Sequence, residues 1–169
     1  MKILISAFGK DKPGIVTKIS KIITEYKCNI IESRMMKIEN DFTVMMLVDI
    51  YKEKNKLINK LESISELKFL IKESSLEADN LNDYNATITL SGADNIGIVH
   101  SVSDILTNHS INIIDMNTSI VNVPNTGTPI FNMETNIFLD NNVSTKELMN
   151  EIENLAIESD IEISIVLKS

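Results

Sequence analysis

The chain has 169 residues, 43% of them apolar and 24% charged, with a mean hydropathy of +0.04; that composition excludes a disordered tract, a collagen and a disulfide scaffold. Sixteen Lys plus Arg against 24 Asp plus Glu leave a net charge of −8, a field that repels polyphosphate, so no direct nucleic-acid partner is expected. The longest unbroken apolar run, 44–48, is five residues, whereas a membrane helix needs roughly 20, so no membrane partner is expected.

The amino terminus reads as a first strand rather than a signal peptide, because its apolar stretch is short and meets Lys10, Asp11 and Lys12 at once. One cysteine, Cys28, cannot close an internal disulfide. Both features point to a cytoplasmic protein.

Ile3, Ile5 and Ala7 alternate with Leu4, Ser6 and Phe8 as a half-buried strand does. After a glycine loop, Ile15, Val16, Ile19, Ile22, Ile23 and Tyr26 recur at helical spacing. Two strand-like stretches follow, 29–38 and 42–51, then a second helix and a short closing strand at 69–71. An acidic, Asn-rich stretch comes next, and the pattern begins again. Ala86, Ile88 and Leu90 alternate; Ile98, Val99, Val102, Ile105, Leu106 and His109 have helical spacing. Strands are expected at 112–121 and 131–139. Ser144 and Glu147 form a capping box ahead of Leu148, Met149, Ile152 and Leu155, and a strand at 161–167 ends the chain.

This is a tandem duplication. Residues 9–31 laid on 92–114 are identical at 11 of 23 positions. The expected organisation is a domain at 1–77, a linker at 78–84 and a second domain at 85–169. Each is a β-α-β-β-α-β ferredoxin-like unit of the α+β class, a four-stranded antiparallel sheet with both helices on one face.

Four of the five glycines are Gly9, Gly14, Gly92 and Gly97, at matching positions of the two copies. Pro13 suits a first helical position and Asn95 a helix N-cap, which puts Gly14 and Gly97 in the first turn. A missing Cβ there opens the free N–H groups to an anion such as a ligand carboxylate. The alternative, equally open from the glycines alone, is that they only let helix and strand pack closely. A phosphate-binding P-loop is excluded, since Ile15-Val16 and Ile98-Val99 stand where that motif needs Lys followed by Ser or Thr.

At these residues the chain resembles a family. The segments AFGKDKPGIV (7–16), CNIIESRM (28–35) and FTVMML (42–47) resemble the tandem ACT-domain regulators of the glycine cleavage system repressor type. The resemblance covers almost the whole chain, including a longer hairpin at 122–130 in the second copy. It implies a regulatory protein, not an enzyme, that binds a small amino acid, glycine or serine, and transmits the signal to a regulator protein. It places ligands near two loops: Asp11, Lys12, Pro13, Gly14 and Ile15, and Asp94, Asn95, Ile96, Gly97 and Ile98. The strand order sets the 122–130 hairpin beside the second loop, either covering it or as a surface insertion without contacts. Asn95 is the best polar ligand contact, an amide that both donates and accepts; Lys12 takes its place in the first copy, so the two sites should differ.

No catalytic or metal constellation is visible, and no cofactor is expected. His100 and His109 lack zinc-ligand spacing, and neither HExxH nor GxSxG occurs. Asp11 and Asp94 recur without a base beside them. Cys28 aligns with Ile111 and reads as a small buried hydrophobe.

Strand parity gives one more expectation. Leu4, Phe8, Arg34, Met36, Met45 and Leu47 fall on the open face of the first sheet, a surface suited to a partner or to a second copy in a homo-oligomer. The second copy's open face carries Thr87, Thr89, Ser91, Asp115, Asn117, Asn132, Glu134 and Asn136, and should be wet.

Overall fold

A computed structural model describes residues 1–74, 84–93, 96–124 and 126–168. The chain divides into two compact units, Met1–Glu77 and Ala78–Ser169. The expected linker, 78–84, lies outside the described residues except for Tyr84. The first unit runs β1 (Lys2–Lys10), α1 (Ile15–Glu25), β2 (Asn29–Ile38), β3 (Asp41–Asp49), α2 (Lys54–Glu62) and β4 (Leu67–Ser74). The second repeats it as β5 (Ala86–Ala93), α3 (Ile98–Asn108), β6 (Ile113–Asn122), β7 (Pro129–Ile137), α4 (Thr145–Ser159) and β8 (Ile161–Leu167). Each unit forms one antiparallel sheet, ordered β2-β3-β1-β4 and β6-β7-β5-β8. The split β-α-β-β-α-β unit is therefore present twice.

Alternation builds each core. Ile3, Ile5 and Ala7 of β1 and Val44, Met46 and Val48 of β3 pack with Ile19 and Ile23 of α1 and Leu57 and Leu61 of α2. In the second unit Ile88, Leu90 and Met133 meet Val102, Leu106, Leu148 and Ile152. Burial of these large side chains, roughly 1.5–3 kcal/mol each, is the main term holding each unit together.

The closing strand of the first unit is longer than the apolar seed at 69–71. It pairs with β1 from Gly9↔Leu67 to Lys2↔Ser74. Lys68 and Lys72 sit on the solvent side of β4 and interrupt the hydrophobic signal without interrupting the backbone ladder. One irregularity recurs: the register shifts between Ile30 and Glu32 in β2, and between Ile113 and Asp115 in β6. Each bulge absorbs one extra residue, Ile31 or Ile114, and fixes which side chains beyond it face outward.

The helix starts differ from expectation. Pro13 is not helical and Gly14 is not in a first turn: α1 begins at Ile15 with Gly14 as its N-cap, φ 87, and α3 begins at Ile98 with Gly97 as its N-cap, φ 90. Both caps adopt the left-handed conformation that disfavours any residue with a Cβ. Asn95, expected as the cap, is displaced from that role by Gly97 and lies outside the described residues, with Asp94. The Ser144 cap of α4 is as expected, its hydroxyl accepting the Glu147 N–H at 3.4 Å.

Candidate functional site

The four paired glycines do two different jobs. A Cβ on Gly9 would stand 2.3 Å from the Glu66 carbonyl oxygen, and one on Gly92 would stand 2.6 Å from Ile161 Cγ2. These two let the central strand approach the start of the edge strand. A Cβ on Gly14 or Gly97 would meet nothing within 4 Å. Close packing thus explains Gly9 and Gly92, though of strand against strand and not of helix against strand as expected, whereas Gly14 and Gly97 take a left-handed conformation and leave the helix start open.

In the first unit the loop is anchored to the hairpin, as the strand order requires. The Asp11 N–H donates to the Asn40 carbonyl at 2.8 Å, and the Asp11 carboxylate pairs with Lys37 of β2 at 2.9 Å. The Ile15 N–H donates to the Lys12 carbonyl at 3.3 Å, and helical bonding starts with the Lys18 N–H to the Gly14 carbonyl at 2.9 Å. The amides of Val16 and Thr17 precede that ladder, and with the helix dipole they make the loop electropositive. Lys18 also holds Glu66 at 2.9 Å. This bond, with the nearby Lys18 and Lys12 charges, keeps the Glu66 carboxyl below its ordinary range. Asp11, Lys12, Pro13 and Gly14 are exposed and only Ile15 is buried, so a ligand here would be covered by the loop on one side.

The start of α3 repeats the bonding at the start of α1. The Ser101 N–H donates to the Gly97 carbonyl at 2.9 Å, and Ile98 is buried beneath a fully exposed Ile96. The hairpin of this unit is longer. Ile130 pairs with Ala93, the last residue of β5, while Asn122 pairs with Pro129, so the turn projects past the end of that strand. Gly127, φ 69, shapes the turn, and its N–H donates to the Val123 carbonyl at 3.0 Å.

The open faces differ as expected. In the first sheet, Leu4 pairs with Leu47 and Leu47 with Glu32; Met45 pairs with Arg34, and Thr43 with both Phe8 and Met36. The anticipated residues do share one face, and Phe8 is 56% and Met45 51% exposed. Sequence reading missed the contribution of β4 to this face: Lys68, Leu70 and Lys72, which oppose Phe8, Ser6 and Leu4.

The second open face is a polar network. The Thr87 hydroxyl donates to Asn136 Oδ1 at 2.7 Å and the Ser91 hydroxyl to Asn132 Oδ1 at 2.9 Å, while Asn136 Nδ2 donates to Asp115 at 3.1 Å. Thr89, Ser91, Asn117, Asn132, Glu134 and Ser164 line a shallow depression of about 630 Å³ on it. Strand parity accounts for the polarity.

His109 caps the C-terminal end of α3 and lies 3.3 Å from Glu151 of α4, whereas His100 is exposed. Burial pushes the half-buried Cys28 thiol up. Among the described residues no group of three His, Cys, Asp or Glu is placed to hold a metal ion, and no helix is long and apolar enough to cross a membrane.

A family model described as the ACT domain matches residues 1–78. A UPF0237 protein of Methanococcus maripaludis is 34% identical over 80 residues, spanning 44% of this chain and 89% of its own. The glycine cleavage system transcriptional repressor of Escherichia coli is 39% identical over 46 residues, 27% of this chain and 24% of the repressor. Among solved structures, an unknown protein from Galdieria sulphuraria superposes on 99% of the chain and 98% of its own, with a TM-score of 0.87 at 22% identity. That likeness shows the fold of both units.

Proposed function

The chain belongs to the ACT-domain family, and from that premise we propose that it is a regulatory amino-acid sensor whose glycine loops receive a ligand carboxylate and whose liganded state alters contact with a regulator protein. The observation that carries this reading is the duplicated loop. Gly14 and Gly97 both take the left-handed N-cap conformation with open space above them, and each starts an 11-residue helix whose first-turn amides favour an anion.

Family membership supports regulation rather than catalysis. The partial match to the glycine cleavage repressor favours glycine, with serine the next ligand to try. Because the first loop would cover a ligand on one side only, its second wall would come from another domain. Ligand and partner binding are then coupled: the ligand shifts the regulator by its difference in affinity between free and docked states.

A thermal-unfolding screen against the twenty amino acids tests the reading. A native-state ligand at 100 times its dissociation constant adds about 2.7 kcal/mol, a clear upward shift. Glycine or serine should give it, and Gly14→Ala or Gly97→Ala should abolish it for the loop that binds. No shift with any amino acid well above millimolar would leave the second reading, a ligand-free assembly module, favoured by the apolar open face of the first sheet.

A further inference from the structure

Whole-chain charge conceals a division. Residues 1–77 carry 14 Lys and Arg against 11 Asp and Glu, a net +3; residues 78–169 carry two Lys, no Arg and 13 Asp and Glu, a net −11. Two units of one fold thus have opposite fields, which attract across any approach closer than the Debye length of about 8 Å at physiological salt.

The division is sharpest at two surfaces of matching form. On β4 the alternation brings Lys68, Leu70 and Lys72 onto the open face, and Leu70 is 71% exposed. An apolar knob stands between two cations about 13 Å apart, four residues along a strand. On the helix layer of the second unit, α3 and α4 enclose a groove of about 320 Å³ with half-buried Ile105 and Leu155 between the carboxylates of Asp104, Glu151 and Glu158. Glu151 and Glu158 are seven residues apart on α4, about 10 Å, and they bracket Leu155 as the lysines bracket Leu70. Two histidines approach these carboxylates: His100 lines the same groove and His109 lies 3.3 Å from Glu151; the unit's two lysines, Lys146 and Lys168, are in the first turn of α4 and after β8.

We propose that the chain self-associates by seating the Lys68-Leu70-Lys72 ridge of one copy in the acidic α3/α4 groove of a second copy. Leu70 packs on Leu155 and Ile105, and the two ammonium groups meet the flanking carboxylates. The partner is a second copy because knob and groove are complementary in polarity and in sign: an apolar residue between two cations meets an apolar floor between carboxylates. The contact is independent of the glycine loops, so it stands apart from the sensor reading.

Sedimentation or light scattering of the full chain at concentrations up to about 0.1 mM tests it, with circular dichroism confirming that each variant is folded. Wild type should give a mass at least twice the 19.0 kDa of the chain, weakening as salt rises. Lys68→Glu with Lys72→Glu should weaken association by about tenfold or more, and adding Glu151→Lys with Glu158→Lys to that same chain should restore it. Leu70→Asp should also give monomer. A monomeric wild type, association unchanged by the lysine reversals, or failure of the paired glutamate reversals to restore it would each overturn the proposal. So would loss of association by Met45→Asp alone with the lysine reversals silent, since that assigns the contact to the rest of the apolar face.

Discussion

The two units share a backbone and little of their surface. Gly9 and Gly92, Gly14 and Gly97, Phe42 and Phe131, and the bulges at Ile31 and Ile114 occupy equivalent places. The first open face exposes Phe8, Met36, Met45 and Leu70, while the second is tied by hydroxyl and amide hydrogen bonds. The first unit is net cationic and the second strongly anionic. Duplication kept the glycine positions and the bulges that shape the backbone, while the side chains exposed on the two open faces diverged.

The glycine pairs offer the largest way to break that equivalence. Gly9→Ala drives a Cβ against a backbone oxygen, which unlike a side chain cannot move aside, and should cost about 2–3 kcal/mol. Gly92→Ala would press on Ile161 at Cγ2, Cα and Cβ, all within 3.0 Å, and should cost a similar amount. Gly14→Ala and Gly97→Ala meet no atoms, so only the left-handed φ is penalised, about 1–2 kcal/mol. Equal losses at Gly9 and Gly14 in urea titrations would contradict the division of labour between the two kinds of glycine.

Capping distinguishes the units next. Ser144 alone among the helix N-caps accepts a hydrogen bond through its side chain, so Ser144→Ala should destabilise the second unit by about 1 kcal/mol. A smaller contrast lies in the cores, where Thr135 occupies the place that Met46 fills in the first unit. Thr135 is fully buried and its hydroxyl has no partner among the described residues. Thr135→Val should be neutral or stabilising by up to about 1 kcal/mol; a marked loss of stability would show that the hydroxyl is satisfied.

The smallest effect concerns pH. Lys18 holds Glu66 chiefly through their hydrogen bond and lowers its pKa. Its stabilisation is present above the ordinary carboxyl pKa and is lost as pH falls through the lowered value in the folded protein. Glu66→Gln should lower the neutral plateau of a Tm-against-pH curve slightly and flatten its acid limb by the same small amount, the two curves converging at low pH, because the pair is exposed and screened.

Fold and duplication were legible because burial imposes a period of two or 3.6 that Ile, Val and Leu report directly. β2 and β8 lie at the expected 29–38 and 161–167. β4 was seen only in part, since Lys68 and Lys72 mask an edge strand, and edge strands tolerate charge. The loops were legible as glycine positions; their use was not, because steric contact at Gly9 and a positive φ at Gly14 look identical as a letter. The charge division was also open to reading, had charge been counted by half rather than over the chain.

By itself the sequence determined two copies of one β-α-β-β-α-β unit, the residues of each core, the paired glycine loops and the opposite polarity of the two open faces, because these follow from local periodicity and strand parity. Only the tertiary structure decided where α1 and α3 begin, which glycine is packed and which is bent, that Leu70 lies beside Ser6 of β1 on the open face, and that Ile105 of α3 lies beside Leu155 of α4. Those depend on which strands and helices become neighbours across tens of residues, and no local pattern encodes that.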